Sequence, residues 1–88
     1  MQSTEIASLQ FEGEEVLPDA IARHNRFLDL NSAMAVSNIE HEEIGIIVQL
    51  RGGEQVEVLT NLIDVEGDSI EVKGGHLIPI KAILRVEI

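Results

Sequence analysis

Three histidines and sixteen carboxylates are the side chains of this 88-residue chain with the chemistry for metal binding or proton transfer. His24, His41 and His76 stand too far apart in sequence to define a ligand set. His41-Glu42-Glu43 begins like the helical zinc signature, in which two histidines four residues apart flank a glutamate base. Gly45 stands where the second histidine is required, so the triplet reads as a solvated polar linker. His76 opens an apolar run and reads as a surface or rim residue. The paired acids Glu14-Glu15 and Glu42-Glu43 would need convergent carbonyl oxygens to hold calcium, and no EF-hand spacing supplies them. Absence of cysteine removes disulfides and thiolate metal sites. Arg51-Gly52-Gly53 lacks the spacing of a phosphate-binding loop, and no serine, histidine and acid stand together at an elbow. No catalytic, cofactor or metal site emerges, and a non-enzymatic role is expected.

Charge carries more information than motif. The formal net charge is −10 at pH 7, which repels phosphates and argues against direct nucleic-acid binding. Residues 1–22 hold five carboxylates and no basic group, and in residues 36–60 Arg51 alone faces five glutamates. Glu54, Glu57, Asp64, Glu66, Asp68 and Glu71 flank turns or fall at outward strand positions, and form the candidate protein-binding face. Its expected partner is a basic protein surface, with a contact that weakens as salt rises. Arg23 and Arg26, three residues apart and beside Phe27, share a helix face and form a secondary contact patch. Their alternative role is internal, with long stems covering strands and charges offsetting nearby glutamates. No stretch approaches the roughly 20 apolar residues of a membrane span. The start, Met1-Gln2-Ser3-Thr4-Glu5, lacks the basic and apolar runs of a secretory signal, so cytoplasmic residence is expected.

The elements that position these residues fall into two parts. Residues 1–17 form an acidic lead, read either as flexible or as an edge strand built on Ile6, Leu9 and Phe11. Residues 18–88 form a helix and a small sheet domain. Pro18 restricts Leu17, and Asp19 can cap a helix beginning at Ala20. Ile21, Phe27 and Leu28 are its expected buried stripe, with a break or re-cap at Asn31-Ser32 and a linker from Asn38 to Glu43. The period then changes to two: Ile44, Ile46, Val48 and Leu50 mark a first strand, and Gly52-Gly53 a hairpin turn. Gln55–Thr60 is a second strand, continued by Asn61–Val65 through a sharp bend. Ser69–Lys73 follows the Gly67-Asp68 turn, with Ile70 and Val72 inward. Gly74-Gly75 leads to His76–Ile80, where Pro79 requires an edge or strand end. A single turn at Lys81-Ala82 precedes the closing strand Ile83–Ile88.

Five short antiparallel strands with one turn before the last suggest a closed barrel, which removes exposed edges. Leu50-Arg51-Gly52-Gly53, Val56 and Val58, Ile70-Glu71-Val72, Gly74-Gly75 and Lys81-Ala82-Ile83 resemble the turn and apolar pattern of the Sm-like proteins, including bacterial Hfq. The same layout is similar to that of the small acidic antiterminators that bind the termination factor Rho. The resemblance implies a mainly β fold with an N-terminal α-helix, a five-stranded SH3-like or Sm-like barrel. It also implies either of two roles. One is an acidic, protein-binding regulator of transcription, acting on a nucleic-acid-binding protein such as a termination factor. The other is a homo-oligomeric structural or RNA-associated module whose barrel edges, around Ile80 and Ile83–Ile88, pair between subunits. The chain departs from the RNA-binding members. Only Lys81 matches their basic pocket residues, Ile80 replaces a polar neighbour, and Asp64-Val65-Glu66 offers no aromatic ring for base stacking.

Overall fold

Helix α1 (Ala20–Glu40) begins where the capping chemistry places it. Asp19 holds extended backbone, and its Oδ1 accepts from the Ile21 amide at 3.1 Å. A computed structural model describes residues 3–88, with side chains from Ile6 onward; residues 1 and 2 of the acidic lead lie outside the described residues. The expected break at Asn31-Ser32 does not occur. Asn31 turns its side-chain amide back to the Phe27 carbonyl, at 2.8 Å, and the helix runs on to Glu40. It stops at His41, whose φ of 57° is left-handed, so the linker shortens to residues 41–43.

The helix also buries a different face from the one its hydropathy suggests. Arg26, Leu30, Ala33 and Ser37 point inward, while Ile21, Phe27 and Leu28 are 69 %, 52 % and 48 % exposed. The inner face packs on strands whose backbone groups need partners at the contact. Arg26 donates to the Ile83 carbonyl at 3.0 Å, and Ser37 Oγ accepts from the Leu62 amide at 3.0 Å. Two polar residues therefore occupy the buried stripe, where a hydrophobic pattern has no means of announcing them.

The strands fall almost where the period-two pattern puts them: β1 (Ile44–Gln49), β2 (Gln55–Thr60), β3 (Leu62–Glu66), β4 (Ser69–Val72), β5 (His76–Pro79) and β6 (Ile83–Glu87). Gly52 and Gly53, with φ of 91° and 95°, make the β1–β2 turn in a region closed to most side chains. Pro79 ends β5, on a sheet edge, as its missing donor requires. Ile44, Ile46 and Val48 of β1, Val58 of β2, Leu62 of β3, Ile70 and Val72 of β4, Ile78 of β5 and Ile83 of β6 meet Leu30 and Ala33 in one core.

The closed five-stranded barrel is not what these strands build. They pair as two open antiparallel sheets, β2-β1-β6 and β3-β4-β5. The chain passes from one sheet to the other at Asn61, so β2 pairs only with β1 and β3 only with β4. The Asn61 carbonyl accepts from the Lys73 amide at 3.0 Å, and its side chain donates to the Glu42 carbonyl at 3.2 Å. At the other crossing a 3-10 turn (Ile80–Ala82) redirects the chain, and β5 and β6 share no ladder. The resemblance to Sm-like proteins, Hfq and the Rho-binding antiterminators, carried by turn and apolar positions, implied a closed barrel; the two open sheets overturn it. What stands is a mainly β fold with an N-terminal α-helix.

The acidic lead packs against this frame. A 3-10 helix (Ser3–Ser8) delivers Ile6 to the core. Phe11 then forms a bridge with Leu50, flanked by Glu12 N–H to Gln49 O and Arg51 N–H to Gln10 O. Val16 donates to the Lys81 carbonyl at 2.9 Å, carrying the strap from the β1–β2 hairpin to the 3-10 turn before β6.

Candidate functional site

Sheet geometry decides which carboxylates meet. Leu62 of β3 is fully buried opposite Val72, and strict alternation from Leu62 would turn Asp64 inward as well. The β3–β4 register shifts between Leu62 and Asp64, so Ile63 is an extra residue on the bulged strand. The phase reverses there. Asp64 now stands opposite Glu71 and away from the core, with Val65 opposite the buried Ile70. Glu66, two residues along β3, shares the face of Asp64. Asp68 sits in the turn of the same hairpin and is exposed.

Three like charges thus crowd one sheet face. The Glu66 carboxyl is pushed above its ordinary value, first by a hydrogen bond to the Asp64 carboxyl and then by repulsion from Asp64 and Glu71. Part of the Asp64 charge is met locally, because its Oδ1 accepts from the Val65 amide at 2.9 Å.

The other two members of the sequence-derived face belong to the other sheet. Glu54 lies in the β1–β2 turn, exposed, its carbonyl accepting from the Leu50 amide at 2.7 Å. Glu57 faces outward on β2, and its carboxylate lies over Gly45 of β1 in the space a Cβ there would take. Sequence order placed all six acids in one set; the fold gathers Asp64, Glu66 and Glu71, with Asp68 at the hairpin tip, and separates Glu54 and Glu57.

The two arginines of the secondary patch are engaged internally. Arg26 is 6 % exposed, and its guanidinium forms a two-pronged pair with Glu15 (Nη2–Oε1 2.6 Å, Nη1–Oε2 2.7 Å). Its hydrogen bond donor and its charge hold the Glu15 carboxyl below its ordinary value, against the opposing effect of burial. Arg23 Nη1 donates to the carbonyls of Leu17 and Pro18, both at 2.9 Å, and clamps the entry to α1. Composition had grouped Arg23 and Arg26 by spacing; their partners were not visible there.

A second feature escaped sequence reading. Ser37, Asn38, His41, Asn61, Ile63 and Lys73 line a surface cavity of about 420 Å³ beside the C-terminal end of α1. The Ser37 hydroxyl and Asn61 amide both donate to the Glu42 carbonyl, while Asn38 donates to the Ile63 carbonyl. Among the described residues, no three histidine or acidic side chains are grouped so as to hold a metal ion, and no helix is long and apolar enough to cross a membrane.

Compared with protein-family models, curated proteins and solved structures, the chain matches none.

Proposed function

We propose that this protein is a non-catalytic regulator that docks the acidic face of its β3–β4 hairpin onto a basic protein surface. The observation that carries the reading is the convergence of Asp64, Glu66 and Glu71, with the Glu66 carboxyl held above its ordinary value by its neighbours. Carboxylates that repel one another in the free protein gain from any cation placed among them, so complementary docking relieves a cost already built into the fold. Asp68 extends the face, while Glu54 and Glu57 widen the acidic surround from the other sheet. The partner chemistry is that of a basic groove which otherwise holds nucleic acid, in a cytoplasmic setting such as transcription regulation. The termination factor itself drops out, because only the barrel resemblance suggested it.

The test is titration calorimetry with an arginine-rich peptide of about 20 residues as the defined basic probe. The variant Asp64→Asn/Glu66→Gln/Glu71→Gln is compared with Glu14→Gln/Glu40→Gln/Glu43→Gln, which removes the same charge from exposed positions elsewhere. The first triple variant should weaken binding about tenfold more than the second at low salt, with the difference shrinking as salt rises. Equal losses in the two variants reduce the interaction to net charge and overturn the site.

A further inference from the structure

We infer that residues 9–17 are a displaceable flap over a basic-lined strand slot, and that the slot takes an acidic extended segment of a partner protein in their place. The slot begins at the far end of β1. There the Leu50 N–H donates to the Glu54 carbonyl at 2.7 Å, and the Leu50 carbonyl accepts from the Gly53 amide at 3.0 Å, both within the β1–β2 hairpin. Backbone groups alternate sides along a strand, so the Gln49 carbonyl and the Arg51 N–H point to the opposite edge, the one β6 occupies farther back. β6 begins at Ile83, opposite Val48, and the 3-10 turn before it leads the chain away. The flap fills the gap. Glu12 N–H donates to the Gln49 carbonyl at 3.0 Å and Arg51 N–H to the Gln10 carbonyl at 2.9 Å, around the single Phe11–Leu50 bridge.

Four of the six basic residues stand along this path. Arg51 bonds Gln10, the Lys81 carbonyl accepts from Val16, Arg26 pairs with Glu15, and Arg23 holds the Leu17 and Pro18 carbonyls. The side chains of Arg51 and Lys81 are exposed and have no hydrogen-bond or ion-pair partner among the described residues. The flap itself is a poor strand, with one bridge in place of a ladder. Beyond that bridge it bows outward: Glu12 Oε1 accepts from the Gly13 and Glu14 amides at 3.0 and 3.3 Å, and both residues are exposed. Ile6 in the core and the Asp19 cap fix its two ends, so it lifts as a loop while both stay in place.

Arg26 defines the replacement. Its side chain is 5 % exposed, and without Glu15 its guanidinium keeps only the Ile83 carbonyl. Even with Glu15 seated, the buried Nε has no acceptor among the described residues. A buried guanidinium without a counter-charge is strongly destabilising, so the open slot persists only around a ligand that returns a carboxylate. The flap sets the pattern of that ligand. An apolar residue lies beside Leu50, a glutamate follows four positions on, and the extended backbone between supplies an N–H and a C=O to the strand edge. An acidic peptide segment has this chemistry, the reverse of the basic surface that suits the β3–β4 hairpin.

Two measurements test the flap and the slot in turn. In native-state hydrogen exchange of the unaltered chain, the amides of Glu12, Val16 and Arg51 should be protected at least about tenfold less than those of Ile46 and Ile70, because they open locally. Equal protection, with exchange only through global unfolding, overturns the flap. The second probe is a dye-labelled peptide of residues 9–18, followed by fluorescence anisotropy at about 0.15 M NaCl, where long-range repulsion from the −10 chain is screened. It should bind full-length Phe11→Ser/Glu15→Gln, whose flap is loosened and whose slot is intact, at least about tenfold more tightly than the unaltered chain, where the closed flap lowers the competent fraction. The same peptide carrying Glu15→Gln should lose at least about tenfold in affinity for the variant, since it returns no charge to Arg26. A peptide that binds both chains equally, or is indifferent to its own glutamate, overturns the slot.

Discussion

Replacing Glu15 by alanine removes one side of the buried pair that ties the N-terminal strap to the helix and to β6. Arg26 keeps only the Ile83 carbonyl, and its Nε, also buried, has no acceptor among the described residues. Truncating one member of a fully buried pair costs about 3–5 kcal/mol, because the surviving charge is left in a medium that solvates it poorly. Here the arginine side chain is 5 % exposed and the glutamate 26 %, so water can reach the vacated side and the expected loss is about 3 kcal/mol. Domains of this size are stable by roughly 4–13 kcal/mol, so the change removes a large share.

The chain has no tryptophan or tyrosine, and urea unfolding at pH 7 is best followed by far-ultraviolet circular dichroism. With a slope of about 1 kcal/mol per molar, the midpoint should fall by about 3 M. Arg26→Met should cost a similar amount, yet Glu15→Ala/Arg26→Met should cost less than the sum by at least about 1.5 kcal/mol, since no lone charge remains. Acid titration supplies the sign. The native carboxyl lies below its ordinary 4.5, so the pair's contribution is present above 4.5 and is lost as pH falls through the lowered native value. Glu15→Gln should flatten that part of the acid limb. A loss under about 1 kcal/mol for Glu15→Ala, or additive single effects, would refute the buried-charge argument.

Two further expectations rest on single groups. Ser37→Ala should cost about 1–3 kcal/mol in the same melts, because Leu62 N–H is buried with Ser37 Oγ as its acceptor; Ser37→Thr, which keeps the hydroxyl, should recover part of it. The Glu66 carboxyl should titrate above the ordinary glutamate value by carbon-detected NMR and return toward it in Asp64→Asn; an unmoved midpoint would show that the pair does not interact. For this group the sign is opposite to that of Glu15: its repulsion is fully present above the raised native value and relieved as pH falls below the ordinary one.

Which parts of the fold were legible follows from the range of the interactions involved. Asp19 caps the residue two positions on, Gly52-Gly53 sets its own turn, and the alternation of Ile44, Ile46 and Val48 needs only one buried face. Such local rules fixed the start of α1, five of the strands and the turns that bound them, and composition fixed the acidity; β3, read as the second strand carried on through a bend, is a separate strand in the other sheet. The inner face of α1 was misassigned because its buried polar residues answer distant backbone groups. Ile83 is 57 positions from Arg26, and Leu62 is 25 positions from Ser37.

The two questions that matter for function were settled only in three dimensions. Whether the strands close a barrel depends on which edges find partners after the corner at Asn61 and the 3-10 turn at Ile80–Ala82, and period-two patterns are the same either way. Whether Asp64 and Glu66 face solvent depends on one extra residue, Ile63, in the ladder between β3 and β4. The chain by itself determined the elements and their charge, through contacts between near neighbours. The tertiary structure decided which face each element turns outward, because that choice is made by hydrogen bonds and side-chain burial between residues that sequence order holds apart.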